Sequence, residues 1–377
     1  MSALSSSHAE GVVTALSLEQ KQALYRDGYV IMRNAVSAAL VEAARVRMRS
    51  AQKGESLSGD KAMTDLINAS SVTPILNEVM GQFDPPSACQ VAVTKVSTPS
   101  ERFSPPGYRD CDVPYYGAAL HMDGNITIAS PQVPMEGTPD EIYARHMASG
   151  PRGDLGRSAA VMGHNMTPLF QDPEMTLGLG SFTAFVFVSL NDQLVEGCGQ
   201  TALVPGSHHA IEKFFRWQRS VNNHVGPEGP GWPRLTHDVP NRCGMLYIPE
   251  AVREALTDET SATTPDGKRW PRPIYAMLNA GDVCIATYHI LHSATRNERG
   301  TESRKNMIFR IRNKKRQPNK VLTGLSDHPD RGWLGEFLEY EPGNNSWERS
   351  KDAMCNMWDE WEGMADVVAS MRAHASI

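Results

Sequence analysis

The chain has 377 residues, a mass of 41.5 kDa, a formal net charge of -6 and a sequence pI near 6.1. This balance argues against a general attraction to nucleic acid or to an anionic membrane, and no apolar run reaches the roughly 18 residues of a spanning helix. The six scattered cysteines include no Cys-x-x-Cys pair, which favours reduced thiols in a cytoplasmic protein.

The N-terminal region combines a short polar leader with helix and strand signals. Residues 1–15 lack the features of a signal peptide, and we expect them to be disordered. Ser17 and Gln20 have the spacing of a capping box. The predicted elements are a helix over Leu18 to Arg26, a strand over Tyr29 to Met32, and a helix from Ser37 to about Met48.

A strand over 90–96, which contains Lys95, precedes the first candidate ligands. Residues 115–120 are aromatic and apolar and predict a weaker strand. Side chains two residues apart on a strand share a face, so His121 and Asp123 could bind one ion. The alternative is a surface histidine followed by an aspartate that starts a turn.

Two insertions interrupt the central strands. We predict a buried strand over 181–190 and a short one over Thr201 to Val204. The first insertion, about 126–178, reads as a long loop whose His146 and His164 are surface histidines. The second insertion, about 210–274, is rich in tryptophan and predicts a small core, with a substrate-covering flap as the alternative.

His208 and His209 follow a Pro-Gly turn and directly precede the second insertion. As neighbours on a predicted loop they should point apart, which argues against joint metal binding.

A β-rich run from Val283 ends at His292, and a period-two strand starts at Arg304. His289 competes with His292 as a ligand. Residues three apart on a strand face opposite ways, so only one should bind, and the loop-edge position favours His292. The Arg304 guanidinium could hold a carboxylate through two hydrogen bonds, or it could be a solvated strand-end charge.

The C-terminal region predicts a helix over 350–371 with one apolar stripe. This stripe is expected to pack on the rest of the chain, and the alternative is a homodimer contact. The basic run over 310–316 is short and lacks aromatic residues, so a solvated strand end is favoured over a nucleic-acid patch.

Together His121, Asp123 and His292 form a two-histidine, one-carboxylate set. Such a set leaves three coordination positions open and is expected of a non-haem iron(II) oxygenase.

Three sequence blocks carry a family resemblance. They are Leu16 to Gln20 with Tyr25 to Ile31, His121 to Asp123 with Gly199 to His208, and His292 with Asn297 and Arg304. In this order, across roughly residues 16–312, they resemble the phytanoyl-CoA dioxygenase family of iron(II)- and 2-oxoglutarate-dependent oxygenases.

The resemblance implies roles for individual residues. His121, Asp123 and His292 would bind Fe(2+), Arg304 would bind the distal carboxylate of 2-oxoglutarate, and Lys95 would help to hold this co-substrate. Ala294 stands where the family often has a serine, so Ser293 or Thr295 is expected to substitute.

The implied fold is mainly β with flanking helices, a double-stranded β-helix of the jelly-roll or cupin-like type with long loop insertions. One domain is expected over 16–320, followed by a C-terminal extension, 321–377, whose amphipathic helix packs on the barrel.

The implied activity is oxidation of an unactivated C–H bond in a small-molecule metabolite by O2 and 2-oxoglutarate, with release of succinate and CO2. Two alternatives stay open: a non-catalytic or oxygen-independent metal-binding barrel, and a hydroxylase of protein or nucleic acid. No coenzyme A signature is visible, so the substrate is not named.

Overall fold

The computed structural model describes residues 14–97, 115, 120–122, 128–131, 175–179, 182–223, 225–226, 229–232, 248–264, 267–316, 338–340 and 352–375. The predictions for residues 1–13, Asp123, His146 and His164 lie outside these ranges.

Helices surround antiparallel strands. The helices are α1 Leu18–Asp27, α2 Ala38–Ser50, α3 Lys61–Asn68, α4 Val72–Val79, α5 Ser207–Asn222, α6 Glu250–Ala255 and α7 Ala365–Ala375. The strands are β1 Tyr29–Met32, β2 Gln90–Thr94, β3 Ile128–Pro131, β4 Met175–Leu179, β5 Ala184–Ser189, β6 Thr201–Val204, β7 Ala262–Thr263, β8 Arg269–Trp270, β9 Ile274–Tyr275, β10 Val283–Thr287, β11 Leu291–Ala294, β12 Arg304–Ile311 and β13 Leu338–Tyr340.

A five-stranded sheet with the order β1-β10-β5-β12-β2 separates two apolar cores. Alternate residues of β5 show the division: Phe185 and Phe187 belong to one core, while Val186 and Val188 belong to the other. The second core packs against the helices α1 to α4 and the C-terminal region. Because both faces of β5 are covered, all six of its residues are buried, as its uninterrupted apolar run predicts.

The smaller sheet has the order β11-β6-β9. Leu203 and Leu291 of this sheet join Phe185 and Phe187 in the first core. The predicted run from Val283 to His292 is therefore not one strand. It breaks at residues 288–290 into β10, in the large sheet, and β11, in the small one.

The two predicted N-terminal helices and the strand between them are confirmed. Ser17 and Gln20 form both hydrogen bonds of the capping box, and Gly28 ends α1 with a φ of 84°. The Ser37 side chain accepts a hydrogen bond from Leu40 N at the start of α2. Helices α3 and α4 were not predicted, although Asp60 caps α3.

The insertions contain more structure than the sequence predicts. Strands β3 and β4 fall within the first insertion and pair with each other, and β13 joins them, so this segment is not loop throughout. In the second insertion, Trp232 is buried and stacks on Phe215 with ring centres 6.0 Å apart. This packing supports the core interpretation of the insertion over the flap.

The predicted single helix over 350–371 is wrong. A helical turn at 352–355 is followed by two short 3-10 turns, and α7 begins only at Ala365. The apolar stripe nevertheless packs within the chain, because Trp358, Trp361 and Met364 lie in the second core, the one that packs against α1 to α4. No helix in the part of the chain that the structure describes is long and apolar enough to cross a membrane.

Candidate metal centre

His121 and His292 lie directly opposite each other in an antiparallel bridge. Each donates its backbone N–H to the carbonyl of the other, at 3.0 and 2.9 Å. Opposite residues in such a bridge project their side chains from the same face. The two imidazole rings accordingly have centres 4.6 Å apart.

This separation fits two imidazoles on adjacent positions of one metal ion. With metal–nitrogen bonds of about 2.1 Å and a right angle between them, ring centres lie about 4.5 Å apart. The third predicted ligand, Asp123, lies outside the described residues. Within those residues no cluster of three or more His, Cys, Asp or Glu side chains forms a metal site.

The His292 ring is oriented by its own strand. Its Nδ1 lies 3.1 Å from the carbonyl oxygen of Ile290. When Nδ1 carries the proton and donates to this carbonyl, Nε2 carries the lone pair that a metal requires. Metal-binding histidines commonly have this second hydrogen bond, which fixes the tautomer and the ring orientation.

His289 does not share this site's geometry. It lies in the turn between β10 and β11, and its Nε2 is 2.8 Å from the carbonyl oxygen of Met354. The preference for His292 over His289 therefore agrees with the geometry. The reason given for it, that the two residues face opposite ways on one regular strand, is wrong, because His289 lies in a turn and His292 in β11.

The expectation that His208 and His209 point apart is wrong. Both are at the start of α5, their ring centres are 3.9 Å apart, and the Nε2 of each lies 2.8 Å from the carbonyl oxygen of Tyr25. This carbonyl is at the C-terminal end of α1, where helix carbonyls lack helical partners. The pair thus joins α5 to α1, and burial lowers the pKa of both imidazoles.

Phe185 connects the histidines to the large sheet. Its ring stacks on the His292 ring, with centres 4.6 Å apart and planes inclined by 27°. Phe185 pairs with Arg310 of β12, and Ser189 pairs with Asn306. Because alternate residues share a face, Arg304 projects from the same face of the sheet as Phe185. β12 pairs with β2 and β5.

Arg304 is a buried cation, and no carboxylate among the described residues pairs with it. The residue is 4% exposed, and its Nε donates to the carbonyl oxygen of Gly199 at 2.8 Å. Burial lowers the Arg304 pKa to about 10, and in the described part of the chain no carboxylate opposes this effect. By contrast, the similarly buried Arg253 pairs with Glu250 at 2.9 Å.

Gly199 gives the carbonyl that holds Arg304, and sequence reasoning did not assign it this role. Its φ is +80°, in the left-handed region that favours glycine. A Cβ at this position would lie 3.2 Å from Asn297 Cβ and 3.3 Å from both Arg304 Cβ and Thr94 Cγ2. The glycine in the second sequence block thus has a steric reason.

The other predicted co-substrate residues lie differently. Lys95 is exposed and follows the last residue of β2. The preceding residue, Thr94, pairs with Arg304, and its Cγ2 would lie 3.3 Å from a Cβ added at Gly199. The Thr295 hydroxyl donates to the carbonyl of Gln200 at 2.6 Å, so its single proton is already used. The roles of Lys95 and Thr295 stay predictions.

Comparisons with known proteins add a distant similarity. No family model matches the sequence, and a search of curated proteins finds no match. Among solved structures, apo HygX from Streptomyces hygroscopicus is 13% identical, with 79% of this chain and 86% of that chain covered and a TM-score of 0.36.

Two further structures are similar at the same level. SnoK, a non-heme alpha ketoglutarate dependent carbocyclase from nogalamycin biosynthesis, is 12% identical, with 79% of this chain and 85% of that chain covered and a TM-score of 0.38. The epimerase SnoN, in complex with Fe3+, alpha ketoglutarate and nogalamycin RO, is 13% identical, with 78% and 83% covered and a TM-score of 0.35. The function proposed below rests instead on the residues of this chain.

Proposed function

We propose that the chain is an Fe(2+)- and 2-oxoglutarate-dependent dioxygenase, similar to the phytanoyl-CoA dioxygenase family, on a double-stranded β-helix. It would oxidise an unactivated C–H bond of a small molecule. The observation that carries the proposal is Arg304, a buried guanidinium that pairs with no carboxylate of the described ranges. It lies on the sheet face that also carries the ring stacked on His292.

His121 and His292 would hold the metal, with Asp123 as the proposed third ligand. The ring separation of 4.6 Å and the Ile290 contact that selects Nε2 of His292 support this assignment. The mixed nitrogen and oxygen donor set suits iron(II). When bound, iron would supply the coupled oxidation of 2-oxoglutarate and substrate by O2.

Arg304 would bind the distal carboxylate of 2-oxoglutarate. An unpaired buried charge is costly, and a planar guanidinium matches a carboxylate through parallel hydrogen bonds. Co-substrate binding would therefore give Arg304 the anion that the described residues do not provide. The Gly199 carbonyl fixes Nε, which limits rotation of the guanidinium and orients its remaining donors.

The apolar core between the sheets would keep water from the reacting atoms. Phe185 and Phe187 are buried there, and the Phe185 ring covers one face of His292. Such an environment strengthens the contact between Arg304 and its anion, because electrostatic interactions are stronger where water is excluded.

The test is succinate release from 2-oxoglutarate with Fe(2+) and O2, in the wild type, His292→Ala and His289→Ala. We expect turnover in the wild type and His289→Ala, and loss in His292→Ala. Arg304→Leu should keep iron binding while its requirement for 2-oxoglutarate rises at least tenfold, about 1.4 kcal/mol. Equal turnover in wild type and His292→Ala would refute the metal assignment.

The substrate itself is not needed for this first test if slow uncoupled turnover is measured. A screen of small metabolites for those that accelerate succinate release would then identify the substrate class. Turnover without O2 would instead support an oxygen-independent barrel.

A further inference from the structure

A buried amide lies beside the guanidinium of Arg304. Asn306 is two residues further along β12, on the same face, and is fully buried. It contacts Gln193, which is also fully buried, with 2.7 Å between the two side-chain amides. Neither residue carries a charge, although Asn306 lies next to the Arg304 cation.

The hydrogen bonds select one orientation of the Asn306 amide. With its nitrogen toward Arg304, two donors would face each other. In the opposite orientation its oxygen accepts from Arg304 Nη1 at 3.2 Å, and its nitrogen donates to the carbonyl of Lys305 at 3.1 Å. In this orientation Arg304 is held by two neutral oxygens, those of Asn306 and Gly199.

We infer that Asn306 is a positioning residue that makes the site selective for a keto acid with a distal carboxylate. It orients Arg304 without neutralising it, so the full charge remains for the ligand. This inference rests on the proposed function, because it assigns 2-oxoglutarate as the ligand of Arg304.

An aspartate at the same position has nearly the same shape but the opposite consequence. Its carboxylate would lie within ion-pair distance of Arg304 Nη1 and would neutralise the charge before any ligand arrived. The distal carboxylate of 2-oxoglutarate would then meet a neutral pair. For charges about 4 Å apart in a partly screened interior, loss of this attraction would raise the dissociation constant of 2-oxoglutarate roughly a hundredfold or more.

The experiment compares two keto acids that differ only at the distal end. 2-Oxopentanoate has the carbon chain of 2-oxoglutarate with a methyl group in place of the distal carboxylate. Their binding to Fe(2+)-loaded protein without O2 is measured by calorimetry for the wild type, Arg304→Met, Asn306→Asp and Asn306→Leu. The readout is the ratio of the two dissociation constants.

We expect the wild type to prefer 2-oxoglutarate strongly and Arg304→Met to lose this preference. Asn306→Asp should reduce the preference for 2-oxoglutarate over 2-oxopentanoate roughly a hundredfold, because only the binding of 2-oxoglutarate weakens. Asn306→Leu, which removes the amide without adding charge, should weaken 2-oxoglutarate binding and lower the preference, but much less than Asn306→Asp does.

The outcomes separate the two proposals. No preference in the wild type would overturn the co-substrate assignment and this inference with it. A preference that depends on Arg304 but survives in Asn306→Asp, or falls equally in Asn306→Leu, would overturn the role of Asn306 alone. If Asn306→Asp does not fold, Gln193→Glu places the charge one hydrogen bond further away. The same logic then predicts about a tenfold loss of the ratio, and an unchanged ratio contradicts it.

Discussion

Replacing Gly199 with alanine tests whether local backbone geometry holds the Arg304 site. At a φ of +80° an L residue costs about 1–2 kcal/mol relative to glycine. The new methyl group would also lie 3.2–3.3 Å from Asn297, Arg304 and Thr94. Two of these contacts are with Cβ atoms, which move only with the backbone, so the crowding should cost about 1–3 kcal/mol more.

Gly54→Ala is the matched control. Gly54 has a φ of +86° and no atom within 4 Å of an added Cβ, so it carries the conformational cost without the contacts. We expect Gly199→Ala to lose about 2–5 kcal/mol of unfolding free energy and Gly54→Ala about 1–2 kcal/mol.

The assay is urea unfolding at equilibrium, with the midpoint and slope of both variants compared with the wild type. The dissociation constant of 2-oxoglutarate is measured in parallel. Gly199→Ala should weaken this binding, because the carbonyl that fixes Arg304 moves, and Gly54→Ala should leave it unchanged. Equal destabilisation of the two variants, with unchanged binding in both, would refute the steric account of Gly199.

Three further predictions concern stability. Arg304→Met should change the unfolding free energy by less than about 1 kcal/mol. The substitution removes the cost of burying the charge, about 3 kcal/mol, but leaves the Gly199 carbonyl without its hydrogen bond. A loss above about 3 kcal/mol in urea unfolding would instead make Arg304 a structural residue. His208 and His209 have pKa values lowered by burial, so the native state binds fewer protons than the unfolded state. Stability should be complete above about pH 6.5 and fall as the pH decreases, by up to about 1.4 kcal/mol per pH unit for each histidine, and an unfolding midpoint independent of pH from 7 to 5 would contradict this. Trp232→Ala should cost about 3–5 kcal/mol, whereas the 46% exposed Trp217 should cost under about 1 kcal/mol on the same substitution; similar losses would argue against the core interpretation.

Sequence patterns predicted the local elements well and the long-range pairing poorly. The capping box of α1 and the apolar run of β5 depend on neighbours in sequence, so they are readable directly. The break between β10 and β11 was missed because it falls at Tyr288, His289 and Ile290. These residues are apolar or aromatic, like those of the strands on either side. Only the pairing of β10 with β5 and of β11 with β6 separates them.

The candidate site follows the same division. His121, His292 and Arg304 were chosen from residue type, spacing and resemblance, and the first two lie together in the structure. The roles of Gly199 and Asn306 were not predictable, because they arise from a carbonyl and an amide whose relation to Arg304 exists only after folding. Lys95 was chosen one residue away from Thr94, the position that pairs with Arg304.

The most direct test of the central claim is iron-dependent succinate formation in His292→Ala beside His289→Ala. Both are buried histidines three residues apart, but it is the His292 ring that lies 4.6 Å from the His121 ring. The account predicts that His292→Ala abolishes turnover of 2-oxoglutarate and tight binding of Fe(2+), while His289→Ala keeps both. Full activity in His292→Ala, or its loss in folded His289→Ala alone, would contradict it.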